Sequence, residues 1–222
     1  MSRPFPDTGH GILSIWNDYP ADDLDQYERW YMTEHFPERL GVPGFLRGRR
    51  YRAIEADRTY FTFYELTTPG VLFSEAYLER LDDPTAWTTH AMQNWGSMFR
   101  TVCHRTARAG HAVGGFAAVA RFDGPVNISR GQAAHIREQL ADPRVVAVDL
   151  WHAASEQNAP TREASQRREA DLNITAAILI ETTCEKSARD ARERLPDLLQ
   201  GNTTPPTTGI YQLMAIEDAP AG

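Results

Sequence analysis

The stretch "ERWYMTEHFPERLGVPGFLRGRRY", residues 28–51, decides how the chain is read. Its first part is the end of a helix. Leu24, Tyr27, Tyr31 and His35 recur at steps of three, four and four, which is one helical face. Pro37 bends or ends that helix, and "GVPG" is turn chemistry. "FLRGRRYRAI" then reads as a strand. An apolar helix face therefore runs into Glu34-His35, and the next strand carries arginine at 47, 49, 50 and 52. Such a unit is either amphipathic with a solvated rim or the wall of a site.

Working outward, "GHGILSIWND" precedes the helix as a strand, and Asp22 can cap the helix. After it, "RTYFTFYEL" is a third strand, joined to the second by a hairpin at "EADR". "VLFSEAYLERL" and "TAWTTHAMQNWGSMF" are helical, broken by "DDP", and "RTVCHRTARAGHAV" is a fourth strand. The first half reads β-α-β-β-α-β. The second half repeats the pattern: strand "GGFAAVARFDGP", helix "SRGQAAHIREQLADP", strands "RVVAVDLWHAA" and "LNITAAILIET", helix "EKSARDARERLPDLL" and strand "TGIYQLMAIED". "SEQNAPTREASQRREAD" between two of these strands is polar, as a loop would be.

Each half is expected to be a ferredoxin-like unit, residues 1–113 and 114–222. Strands apolar or aromatic on both faces need cover on both sides. Two sheets covering each other make an α+β barrel, with helices outside the antiparallel sheets and a cavity between them.

Bulk properties narrow the function. The chain has 222 residues, enough to bury roughly 70% of its unfolded surface without a disulfide or metal staple. A net charge of −7 gives no basic face for nucleic acid. Two distant cysteines, no signal-peptide layout and no long apolar run lead to the expectation of a cytoplasmic chain that spans no membrane. Metal-ligand spacings, a nucleophile elbow, a phosphate loop and a dinucleotide fingerprint are all missing, so no cofactor and no metal are expected.

The segment Trp30, Glu34–Leu40, Pro43–Phe45 and Arg49–Tyr51 resembles the EthD-like branch of the dimeric α+β barrel superfamily. The resemblance covers about 25 residues in its motif. It implies the barrel, a small-molecule cavity and a possible homodimer. It does not imply one reaction, because that superfamily includes oxygenases, isomerases, cyclases and heme proteins. Function must come from the site.

Four of five tryptophans, seven of eight tyrosines and five of seven histidines precede Val113. Pockets are aromatic-lined with a few placed polar groups, so the site is expected in the first half. His35 ends the buried stripe and is the leading acid/base, inside the matching motif. Glu34 turns away from it towards a rim salt bridge. Trp87, His90 and Asn94 share a face of the next helix, with Trp95 one residue off it. His104 alternates with Cys103 and Arg105, so either His104 or the other two face the site. On the second strand Arg49 shares its face with Tyr51 and, by alternation, with Phe45, and suits a carboxylate or phenolate. Trp30, Tyr31 and Tyr64 complete the expected lining.

The expected activity is a cofactor-independent lyase or isomerase, using His35, His90 and Arg49 on a small aromatic or polyketide-like carbonyl or hydroxyl compound. A cofactor-free monooxygenase or heme enzyme of the same fold, and a non-enzymatic binder of an apolar molecule, are the alternatives.

Overall fold

The computed structural model describes residues 10–96, 98–128, 131–156, 171–199 and 205–220. The polar stretch 155–171 lies mostly outside the described residues. Eight strands close into one antiparallel barrel. They are β1 (Gly11–Asn17), β2 (Phe45–Glu55), β3 (Tyr60–Leu66), β4 (Phe99–Gly110), β5 (Phe116–Phe122), β6 (Val145–Ala153), β7 (Ala176–Thr182) and β8 (Thr207–Asp218). The order around the barrel is β1-β3-β2-β8-β5-β7-β6-β4, so β4-β1-β3-β2 and β8-β5-β7-β6 are matching sets of four.

Helix α1 has three pieces: α-helical Leu24–Trp30, π-helical Tyr31–His35 and α-helical Phe36–Leu40. Glu75–Asp82 (α2), Ala86–Asn94 (α3), Gln132–Leu140 (α4) and Glu185–Leu198 (α5) follow. α1, α2 and α3 cover the outer face of the first set, and α4 and α5 that of the second.

Several local expectations change. Asp22 does not cap: a 3-10 turn, Ala21–Asp23, leads into α1 and makes no side-chain cap. The helix also does not end at Pro37. Proline has no N–H and crowds the carbonyl four residues back, here Thr33. Widening the turn relieves this: the Phe36 N–H bonds to the Tyr31 carbonyl five residues back, and the helix runs on to Leu40. α3 stops at Asn94, short of the helix expected through Phe99. Its start is capped by Thr85, whose Oγ1 accepts the Thr88 N–H at 3.0 Å.

Aromatic side chains crowd the space between the two sets. Trp16 stacks on Phe61 at 4.7 Å, Phe63 meets Trp151 at 4.8 Å, and Tyr211 meets Phe61 at 5.5 Å. These inward side chains form one buried cluster in the lumen.

Beside that cluster lies a closed ring of alternating charge. Arg49 contacts Glu65 at 2.7 Å and Glu181 at 2.7 Å; Arg105 contacts Glu65 at 3.0 Å and Asp149 at 3.1 Å; Arg108 contacts Asp149 and, at 3.1 Å, Glu181. The Arg105–Asp149 link is an approach of charges, without hydrogen-bond alignment. Arg105 and Arg108 can both point inward because β4 is bulged against β6 between Arg105 and Ala107. Three members of the ring are on β2 and β4, Glu65 is on β3, and Asp149 and Glu181 come from β6 and β7, so the ring ties the two sets together. Burial pushes the Asp149 carboxyl up. At Glu65 burial acts in the same sense, but Arg105 and Arg49 outweigh it and hold the carboxyl below its usual range.

Candidate active site

The residues brought together around His35 lie outside the barrel, between α1, α3 and the outer face of β1, β2 and β3. The π-turn places His35. In an α-helix residues five apart sit about 140° from each other around the axis. The wider turn brings His35 onto the face of Trp30, with ring centroids 4.5 Å apart. Tyr31 meets His35 at 5.1 Å, and Trp95, just past the end of α3, meets it edge-on at 6.1 Å.

Beneath these rings is Arg50, fully buried on the outward face of β2. Its guanidinium lies over Tyr31 at 4.2 Å, Tyr60 at 4.8 Å and Tyr27 at 5.2 Å, and it pairs with Glu28 of α1. Cation–π contacts of a desolvated guanidinium contribute about 2 kcal/mol each. Burial opposes the charge of Arg50, yet its neighbours keep it protonated. Tyr64 completes the floor, its hydroxyl 3.5 Å from that of Tyr31.

His35 is 4% exposed. Burial drives its imidazole well below the ordinary histidine range, and the charges of Arg39 and Arg50 push the same way. It is a neutral base at pH 7. Its Nδ1 is buried and has no hydrogen-bond partner, and the same is true of Trp95 Nε1 and of Nε and Nη2 of Arg50. Trp30, by contrast, is satisfied: its Nε1 donates to Thr88 Oγ1 at 3.1 Å, and Thr88 donates to Glu34 at 2.9 Å. Glu34 therefore holds hydroxyls of α3 rather than a salt bridge.

Of the residues singled out from sequence, Trp30, Tyr31, His35, Tyr64 and Trp95 meet in this one layer. The others are elsewhere. Arg49 points into the lumen, held by two carboxylates, on the opposite face of β2 from Arg50. Trp87 and His90 line a shallow surface hollow with Gln26, and His90 is 3.7 Å from Asp23. Asn94 is half-buried near Tyr19. His104 is exposed, opposite His152 across the β4–β6 ladder, so Cys103 and Arg105 face the lumen.

Arg50 was missed for an identifiable reason. Phe45 is grouped with Arg49 by simple alternation, but a bulge between Phe45 and Arg47 shifts the register. Phe45 joins the outer cluster instead. The better signal is Gly48, two residues before Arg50 on the same face. A Cβ there would sit 2.4 Å from the Phe36 ring, so glycine marks where α1 lies on the strand.

The ring environment does not fit a heme. Trp30, Tyr31 and Trp95 enclose His35 at 4.5 to 6.1 Å, leaving no flat face for a porphyrin. Among the described residues no group of three or more histidine, cysteine or acidic side chains could hold a metal ion. Nor is any described helix long and apolar enough to cross a membrane.

No family model matches the chain, and no curated protein does. Solved structures do. An anthrone oxidase-like protein superposes with a TM-score of 0.59 at 9% identity, over 96% of this chain and 94% of that one. A candidate monooxygenase from Fusobacterium nucleatum gives 0.51 at 12% identity, over 95% of each chain. A candidate chlorite dismutase gives 0.51 at 12%, over 93% of this chain and 96% of that one. At such identities the likeness is one of fold alone: a closed α+β barrel.

Proposed function

We propose that the chain is a small-molecule oxidoreductase without a resident cofactor, with His35 as general base and Arg50 as the cation that steadies the resulting anion. The substrate is a small aromatic or polyketide-like compound bearing a phenolic hydroxyl or an enolisable carbonyl. One observation carries this reading: a neutral imidazole, buried among aromatic rings, whose Nδ1 has no partner in the protein. A neutral base near a buried guanidinium is the pairing that makes and holds an organic anion.

That anion has two fates. Reprotonation at another atom is isomerisation, or elimination if a leaving group departs. Passing electrons to molecular oxygen is oxidation. The anthrone oxidase-like and monooxygenase descriptions of the neighbours weigh towards oxygen. The matching sets of four strands also support reading residues 1–113 and 114–222 as tandem ferredoxin-like units, with the first holding the site, in an EthD-like chain.

Oxygen uptake with anthrone and 1-naphthol as probes tests the reading. The expected result is uptake that falls about 10²- to 10⁴-fold in His35→Gln, the usual contribution of general acid–base catalysis. Turnover that continues unchanged under nitrogen would replace oxidation by isomerisation or a lyase step. Tight binding without turnover would leave a binding protein.

A further inference from the structure

Two tryptophans flank His35, and the fold treats them differently. They stand perpendicular to each other with centroids 5.8 Å apart. The Trp30 indole N–H is satisfied by Thr88, itself held by Glu34. Trp95 is 2% exposed, and its Nε1 has no partner at all. A buried N–H left unpaired is costly, so it calls for an explanation. Its neighbour, His35 Nδ1, is also buried and unpaired, on a ring 6.1 Å away. Just beyond, a Cβ added to Gly96 would meet nothing within 4 Å among the described residues, so Gly96 borders open space.

We infer that Trp95 Nε1 and His35 Nδ1 together read a single hydroxyl group on an aromatic ligand, which makes Trp95 a substrate-binding and specificity-determining residue. This rests on the reading of His35 as base. An indole N–H can only donate; with the imidazole proton on Nε2, the tautomer this inference requires, His35 Nδ1 can only accept. The one oxygen function that satisfies both is a hydroxyl: it accepts from Trp95 and donates to His35. An ether or a carbonyl serves only Trp95, and a bare ring serves neither. When the proton moves, the ligand O–H bond breaks, an N–H bond forms at Nδ1, and the electron pair stays on oxygen. The indole N–H then donates to an oxyanion, a stronger bond than to a neutral oxygen.

Indole ¹H–¹⁵N spectra provide the test, because each of the five tryptophans contributes one signal. The Trp95 signal is assigned by its loss in Trp95→Phe, a variant that keeps a ring in place. Adding 1-naphthol is expected to move that signal, while the signal of Trp151, also unpaired but in the barrel lumen, stays still. 1-Naphthol is expected to bind about 10-fold or more tightly than 1-methoxynaphthalene, with the preference gone in Trp95→Phe. The signals of Trp16 and Trp151, in the lumen and away from Trp95, report by staying unchanged in that variant that it is folded.

A Trp95 signal that ignores saturating 1-naphthol would overturn the inference and leave a bound water as the bridge between the two nitrogens. Equal binding of the hydroxyl and methoxy compounds by the unaltered protein would overturn it too. The arms separate it from the reaction. A moving Trp95 signal without oxygen uptake removes the oxidase reading and keeps this one, and uptake with a silent Trp95 does the reverse.

Discussion

The barrel lumen and the helix layer outside β1–β3 both bury charge, but in opposite ways. In the lumen each carboxylate of the ring touches two guanidiniums and each guanidinium touches two carboxylates. Its charges balance within the protein, although Arg49 Nε, Asp149 Oδ1 and the neighbouring Trp151 Nε1 make no hydrogen bond. In the helix layer, His35 Nδ1 and Trp95 Nε1 find no partner, and Arg50 has one carboxylate and three aromatic faces. Buried polarity alone therefore does not mark a site. The lumen ring has the marks of structure: charge balance, closure, and contacts between the two sets of strands. In the helix layer an unpartnered imidazole nitrogen and an unpartnered indole N–H lie on rings 6.1 Å apart, and that pairing has the marks of a place where something else binds.

Breaking the ring should have the largest effect on stability. Glu181 meets Arg49 and Arg108 and accepts the Gly114 N–H at 3.3 Å. Glu181→Gln would open the ring and leave Arg49 with Glu65 alone and Arg108 with Asp149 alone, and removing one charged partner from a buried network costs about 3–5 kcal/mol. The urea midpoint should fall accordingly, while the affinity of the folded protein for 1-naphthol stays within about twofold. A large loss of affinity in folded protein would mean that the lumen, not the helix layer, holds the site.

Next is the contact between α1 and the sheet. Gly48→Ala would drive a methyl group into Phe36, and overpacking of this kind costs about 1–3 kcal/mol. Because α1 carries His35, thermal unfolding and probe binding should weaken together. A thermal midpoint unchanged from the unaltered protein would show that Phe36 swings aside freely.

The smallest effect is the dependence on pH. An imidazole in the unfolded chain titrates near 6.5, and that of folded His35 titrates well below it. Between the two values only the unfolded chain takes up the proton. Stability is level above about pH 6.5 and falls by about 1.4 kcal/mol per pH unit below it, until folded His35 itself protonates. His152, also shifted down by burial, adds to the slope. The difference between the unaltered protein and His35→Gln, measured by urea unfolding from pH 7.5 to 5, isolates His35. Parallel curves would mean that folded His35 titrates normally, and a neutral buried base would no longer be available to the mechanism.

Strand and helix positions were legible because each follows from a local period. The eight expected strands all form, as does the hairpin at residues 55–58. The helix ends were less legible. That Pro37 would be absorbed by a π-turn depends on the packing of His35 and Phe36 against the sheet, not on the proline alone. The same turn decides which ring His35 touches.

The sequence by itself determined that aromatic residues and histidines gather in the first half, that His35 continues a buried helical stripe, and that the strands bury both faces. These are matters of composition and periodicity, carried by each segment alone. Only the tertiary structure decided which face of β2 meets the helix layer. The bulge after Phe45 sends Phe45 to the outer cluster, while Arg49 enters the ring and Arg50, on the other face, comes to lie under His35's neighbours. It also decided which side chains occupy the lumen. Whether inward aromatics leave a cavity depends on how the side chains of eight strands interlock, and no segment holds that information.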